Sequence, residues 1–292
     1  MRETLQALIF DVDGTLAETE ELHRQAFNVA FAIEGTRLHW DRRAYRARLA
    51  VAGGKERIAA ALTEDANAGG GPSQPLVQRL HRRKTELYTG AVATGALTLR
   101  PGVARLVAEA AEAGLRLAIA TTTTRANVEA LLASVWPHGH PFEVLCCADT
   151  APRKKPAPDV YFAALQALGV AAGRALALED SANGVRAARA AGVAVLATPG
   201  YYTAGDDFEG AAAVLSSLGD PGSPATALGT PIPFARVVDL AWLRRLFERV
   251  RGADTGDARA QGVGARLCAS DARAPAAERM CGRQTRGRTG CE

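Results

Sequence analysis

The chain has 292 residues, 48% of them hydrophobic and 23% charged, and a formal net charge of +4. This is ordinary globular usage with enough material for one large α/β domain or two smaller ones, and two are expected. The mild positive excess suits anionic small molecules and falls short of a nucleic-acid-binding signature, and Arg, Glu or Gly interrupts every apolar run before it reaches a membrane span.

Met1-Arg2-Glu3-Thr4 runs at once into the first strand and leaves no room for a leader, so a cytoplasmic protein is expected. The cysteines, an adjacent pair at Cys146 and Cys147 and three more at Cys268, Cys281 and Cys291, have neither metal-ligand nor redox spacing, which predicts a reducing compartment and no structural disulfides. Leu8-Ile9-Phe10 reads as a buried strand that ends in Asp11-Val12-Asp13-Gly14. Residues 18–34 then fit an amphipathic helix with Leu22, Ala26, Val29, Ala30 and Ile33 on one side. Further helical stretches at 42–49, 55–64 and 76–92 follow with no strand among them, and 66–73 is a Gly-rich loop by composition. Residues 18–96 are thus an all-helical insertion.

From Arg100-Pro101-Gly102 onward helices and short apolar runs alternate. Helices are expected at 103–113, 126–135, 159–168 and 183–190, and strands at 115–120, 144–147, 175–178 and 193–197. Parallel strands need helical crossovers, so this alternation predicts a doubly wound parallel sheet, an α/β core of residues 1–17 and 97–250. A Gly/Pro-rich loop is expected at 218–233, a packed helix at 239–250, and a disordered tail at 251–292, which is rich in Arg, Ala and Gly.

The chemistry sits at the strand ends. Ligands of open α/β sheets bind beyond the carboxyl ends of the strands. There Asp11 and Asp13 would be joined by Thr121 after the second strand, Lys155 after the third, and Glu179-Asp180 after the fourth. Carboxylates can hold a hard divalent cation against a phosphate, lysine neutralises phosphate and nucleophile, and phosphoryl transfer is mostly positioning and neutralisation. An aspartate nucleophile divides one hard displacement into two, with a second carboxylate moving the proton. Each residue alone has a plainer reading: Thr121 as a helix cap, Lys154 and Lys155 as a solvated pair, Glu179-Asp180 as a helix start. Their joint occurrence in this order favours the chemical one.

Asp11-Val12-Asp13-Gly14-Thr15, Thr121, Lys155 in Lys-Pro-Ala-Pro-Asp, and Glu179-Asp180-Ser181 resemble the four motifs of haloacid-dehalogenase-superfamily phosphatases. The resemblance implies a Rossmann-like core, Asp11 as nucleophile and Asp13 as general acid/base. It also implies Thr121 and Lys155 on the phosphoryl group, and Mg²⁺ held by the Asp11 carboxylate, the Asp13 backbone carbonyl and Asp180. Glu179 is either a further ligand or a neighbour of one.

The insertion resembles the C1-type cap of the β-phosphoglucomutase-like branch. Residues 16–23, Tyr45, 53–58 and 81–85 are similar to CbbY-type phosphatases, which are specific for xylulose 1,5-bisphosphate. Lys55 and Arg57 suit a second phosphate, and Glu20, His23 and Tyr45 would meet sugar hydroxyls by the same resemblance. The plainer reading leaves Lys55 and Arg57 on a solvated face and His23 packed between insertion and core. A β-phosphoglucomutase-like phosphotransferase is the alternative enzyme, and a phospho-accepting signalling domain or a non-catalytic binding module are the other classes. A signalling receiver carries its acceptor on a later strand and has no insertion after it. The expected partner is a phosphorylated small molecule, with no nucleic acid and no membrane, and a monomer is favoured.

Overall fold

The computed structural model of the chain describes residues 4–64 and 73–255. Within them, strands β1 (Ala7–Phe10), β2 (Arg116–Ala120), β3 (Val144–Cys146), β4 (Ala175–Glu179), β5 (Ala194–Ala197), β6 (Ala213–Leu215) and β7 (Ala227–Gly229) form one sheet. Their order is β3-β2-β1-β4-β5-β6-β7, and every pair is parallel except β6–β7. Helices α1 (Glu20–Ile33), α2 (Arg42–Arg48), α3 (Gly54–Glu64) and α4 (Gln74–Ala93) intervene between β1 and β2. Helices α5 (Val103–Glu112), α6 (Arg125–Val135), α7 (Asp159–Leu168), α8 (Ala182–Ala190) and α9 (Leu240–Thr255) complete the chain.

Side chains alternate across each strand, so the sheet feeds two apolar layers. Leu8, Phe10, Leu117, Ile119, Leu176 and Leu178 pack with α5, α6 and α9 through Leu106, Leu131 and Leu246. Ala7, Ile9, Ala118, Ala120, Ala175 and Ala177 meet α7 and α8 on the other face, through Val160, Tyr161, Leu165 and Val185. The small alanines let that second layer approach closely. This is the expected doubly wound α/β fold, and its strand order reverses direction between β1 and β4. Such a switch point opens a crevice beyond the two strand ends.

The helical insertion has its own core of Phe27, Phe31, Trp40, Tyr45, Ile58 and Leu80. Asp41 caps α2, its Oδ1 accepting from Ala44 N at 2.7 Å, and the Asn28 side-chain amide holds the Trp40 backbone by two hydrogen bonds of 2.8 Å. The buried face of α1 differs from the expected one: His23, Ala26, Phe27, Ala30 and Phe31 point inward, while Val29 and Ile33 are exposed. Two phenylalanines one turn apart bury more apolar area than Val29 and Ile33, and they set the rotation of the helix. The two passages joining insertion and sheet run side by side, with Ala17 bridged to Leu99 and Arg100 N donating to Leu16 O at 2.8 Å.

Other differences lie after β5. β6 falls outside the expected strands, and β7 lies inside the stretch expected to be a loop; Ala227 and Leu228 are exposed on this edge strand, so no burial pattern marks it. The last helix runs through Thr255, five residues into the expected tail. The remainder of that tail, and most of the Gly-rich loop at 66–73, lie outside the described residues.

Candidate active site

The β1/β4 crevice gathers the strand-end residues. Asp11 N donates to Leu178 O at 3.0 Å, which ties the first acidic loop to the end of β4. Gly14 turns that loop at φ +86°, and Asp180 Oδ2 occupies the space a β-carbon would take, 2.2 Å from it. Glycine is therefore required on two grounds. Lys155 is buried, and its ammonium donates to Asp11 Oδ1 at 2.6 Å, Glu179 Oε1 at 2.6 Å and Ala120 O at 2.8 Å. The Tyr161 hydroxyl donates to the same Glu179 oxygen, leaving Oε2 buried without a partner among the described residues. Thr203 Oγ1 donates to Asp180 Oδ2 at 3.0 Å.

The electrostatics show what this cluster suits. Burial pushes Asp11 up to about 8 against the pull of Lys155, with Glu179 and Asp13 adding to the rise. Burial, Asp11 and Glu179 likewise hold Asp180 well above the usual carboxylate range. Burial works against the Lys155 ammonium, but Asp11 and Glu179 outweigh it and raise its pKa. Asp11, Glu179 and Asp180 each offer an oxygen within 4.8 Å of the others, and all three are buried. One ammonium against three carboxylates leaves negative charge that a hard, oxygen-seeking divalent cation fits.

Asp13 stands apart from that cluster. Its Oδ1 accepts from Thr19 Oγ1 at 2.6 Å and lies 3.1 Å from His23 Nε2. Burial opposes its ionisation, yet His23, Thr19 and the charge of Lys84 outweigh this and keep it below the ordinary carboxylate range. Burial and then Lys84 push His23 down, so it meets Asp13 as a neutral imidazole donating from Nε2. The ring stacks on Tyr88 at 4.0 Å between centroids. The packing expected of His23 and its place at the site are thus compatible.

Thr121 is not the cap of α6, because Thr124 accepts from Asn127 N in that role. Its oxygen instead accepts from Thr123 N at 3.3 Å, and the hydroxyl faces a cavity of about 540 Å³ between insertion and sheet. Asp11, Asp13, Glu20, His23, Arg57, Lys155 and Asp180 also line this cavity. Tyr45 does not; it is fully buried and donates to Glu20 Oε2 at 2.5 Å while accepting from Arg57 Nη1 at 3.0 Å. Arg57 is occupied further by the Arg48 and Val51 carbonyls. Lys55 lines an adjoining cleft with His81, Lys84 and Lys154, where Lys154 pairs with Glu56 at 2.6 Å.

Lys84 falls in the 81–85 stretch of the resemblance, which gives it no role. It is 4% exposed, reaches both the cavity and the cleft, and lies over the rings of Phe27 and Tyr88 at 4.9 and 5.2 Å. A signal exists: Val77, Leu80, Lys84, Tyr88 and Val92 form one buried stripe, and a lysine in such a stripe has a task. Arg46 and Arg186 also line the cavity, so its wall carries cations besides Lys84 and Lys155.

A parallel α/β fold with acids and a lysine at its switch point, roofed by helices, defines a phosphoryl-transfer enzyme of the hydrolase type. A profile of the haloacid dehalogenase-like hydrolases matches residues 5–192, and the chain belongs to that family as a phosphoric monoester hydrolase. It is 52% identical over 248 residues to the plasmid-encoded protein CbbY of Cupriavidus necator, covering 82% of this chain and 96% of that one. Against CbbY of Rhodobacter capsulatus the identity is 54% over 71% of this chain and 91% of the other. Among solved structures, a CbbY variant from Rhodobacter sphaeroides in complex with xylulose-(1,5)bisphosphate is 48% identical, covers 73% of this chain and 94% of that one, and has a TM-score of 0.69.

Proposed function

We propose that the chain is a Mg²⁺-dependent phosphatase that hydrolyses a sugar bisphosphate of the xylulose 1,5-bisphosphate kind through an aspartyl-phosphate on Asp11. The observation that carries this is Lys155 bridging Asp11 and Glu179 on the floor of a cavity roofed by the helical insertion. Asp11, Asp180 and Glu179 would hold the metal, with the Asp13 backbone carbonyl as the family resemblance implies. A divalent cation held by these residues would supply neutralisation of the charge on the phosphoryl oxygens.

The remaining work falls to side chains. Lys155 orients the Asp11 carboxylate, whose free oxygen attacks phosphorus as the bond to the leaving oxygen breaks. Thr121 donates to a phosphoryl oxygen. Asp13 gives its proton to the leaving oxygen, then takes one from the water that hydrolyses the aspartyl-phosphate. Thr19 and His23 fix the Asp13 carboxylate for both transfers. They also make it a base at rest, so the arriving phosphate dianion must raise its pKa before it serves as the acid.

Two further features favour a bisphosphate. Lys84 presents a buried cation to the cavity with no carboxylate at ion-pair distance among the described residues, and Arg46 and Arg186 add charge at the wall. The structure of the 48% identical relative holds a five-carbon bisphosphate. A cap comprising residues 18–96 would exclude water from the reaction. Phosphate release from phosphorylated pentoses and hexoses, with and without Mg²⁺, tests the reading. Turnover of a sugar bisphosphate should exceed that of its monophosphates and stop with a chelator. Recovery of an isomeric sugar phosphate in place of free phosphate would establish the phosphotransferase alternative.

A further inference from the structure

Arg100 stands on the passage that returns from the helical insertion, and no step above uses it. It is 8% exposed, and its guanidinium is fully occupied. Nη1 donates to the carbonyl oxygens of Gly14 and, at 2.6 Å, Thr198. Nη2 donates to Pro199 O at 3.0 Å and Ser216 O at 3.1 Å, while Nε lies 3.1 Å from Glu18 Oε1 on the outgoing passage.

The chain segments gathered here carry the two halves of the site. Gly14 follows Asp13 directly and is the residue against which Asp180 packs. Thr198 N donates to Glu179 O at 2.7 Å, so the Thr198–Pro199 turn is fastened to the backbone between Lys155's partner and Asp180. One planar fork thus holds the Gly14 carbonyl at a fixed distance from the turn beside β4. A lysine could not replace it, since a single ammonium on a flexible stem cannot span acceptors in that plane.

We propose that Arg100 is a positioning residue for the hydrolytic reaction: it sets the Asp13 loop against the Asp180 strand end through the Gly14 and Thr198–Pro199 carbonyls. The inference rests on the assignment of Asp13 as acid/base. Misplacement of a reacting group by about 1 Å costs on the order of 100-fold in rate, while the phosphate-binding groups Lys155 and Thr121 sit on other segments. Loss of the fork should therefore lower kcat and leave KM nearly unchanged.

The test uses the full chain with Mg²⁺ and p-nitrophenyl phosphate, comparing Arg100→Lys, Asp13→Asn and the double variant. Arg100→Lys should lower kcat about 10- to 100-fold with KM within about twofold. In the Asp13→Asn background the same change should cost clearly less than in the wild type, because the side chain it positions is gone while the Asp13 carbonyl and Asp180 remain. Millimolar guanidinium should restore part of the kcat of Arg100→Ala. Wild-type kcat in Arg100→Lys beside an impaired Asp13→Asn overturns the role of Arg100 alone. Losses that multiply in the double variant overturn it too, since they describe a residue that serves folding only. Wild-type turnover in Asp13→Asn overturns the acid/base assignment instead. Should Arg100→Lys not fold, Glu18→Gln loosens the same fork from a half-exposed position and should lower kcat about threefold; unchanged kcat there counts against the proposal.

Discussion

Gly184 and Glu179 are packed so closely that a β-carbon on the glycine would lie 1.9 Å from Glu179 Oε2. The carboxylate is held between the α8 backbone on one side and Lys155 with Tyr161 on the other. Alanine in a helix interior ordinarily gains about 1 kcal/mol over glycine. At Gly184 the sign should reverse. Gly184→Ala must displace Glu179, and overpacking of this kind costs about 1–3 kcal/mol. Lys155 loses its second anchor as well, so kcat should fall about 10- to 100-fold. Thermal unfolding and steady-state kinetics check both effects, and a stabilised, fully active variant would refute the packing argument.

Lys84 predicts a pH dependence. Burial pulls its pKa down to about 8, with Asp13 and Glu20 pulling the other way and Arg57 adding to the fall. The ammonium is charged below that pH and attracts phosphate, so KM for a bisphosphate should climb about tenfold per pH unit beyond it. Stability moves in the opposite sense. From about 8 to the ordinary value of 10.5 the unfolded chain binds the proton and the folded one does not, so folding strengthens with rising pH across that window. Lys84→Met removes a penalty on the order of 3 kcal/mol at neutral pH, raising Tm while KM rises too. A lower Tm would mean that the ammonium is stabilised where it stands.

The strand-end acids were legible because short apolar runs stop abruptly at charged residues, a contrast that survives without knowledge of the fold. The alternation of helix and strand after Arg100 was equally plain, and it put Asp11, Thr121, Lys155 and Glu179-Asp180 on one rim. What stayed hidden depends on how the insertion sits on the sheet. Tyr45 and Lys55 are near the motifs in sequence, yet one is sealed behind Glu20 and the other faces the neighbouring cleft. The rotation of α1 is ambiguous in the sequence because Val29 and Ile33 fit the helical period as well as Phe27 and Phe31 do. β6 and β7, three residues each, are too short to show any period.

On the proposed mechanism Asp11 links activity to the metal. Asp11→Asn should abolish phosphate release and any hydroxylamine-sensitive phosphoenzyme, whereas chelation of the wild type should abolish turnover reversibly. Bound Mg²⁺ stabilises only the folded state, by RT ln(1 + [Mg²⁺]/Kd), so Tm should rise by a few degrees between chelator and millimolar Mg²⁺. The rise should shrink in Asp11→Asn and in Asp180→Asn, because each removes a charged oxygen from the cluster. A Tm that ignores Mg²⁺ would show that these carboxylates do not bind it.

Tyr45 tests whether Glu20 is held in readiness for the substrate. The phenol donates to Glu20 and accepts from Arg57, inside the aromatic core formed by Phe27, Trp40 and Tyr202. Tyr45→Phe keeps that packing and deletes only the hydroxyl. Arg57 retains its backbone acceptors, so the stability cost should be the loss of hydrogen bonds to charged groups, about 1–3 kcal/mol. Glu20 would then swing freely at the cavity wall. If it binds sugar hydroxyls, KM for a sugar phosphate should rise about tenfold while KM for p-nitrophenyl phosphate, which offers no hydroxyls, stays within about twofold. Equal changes for the two substrates would show that Tyr45 and Glu20 shape the insertion without reading the sugar.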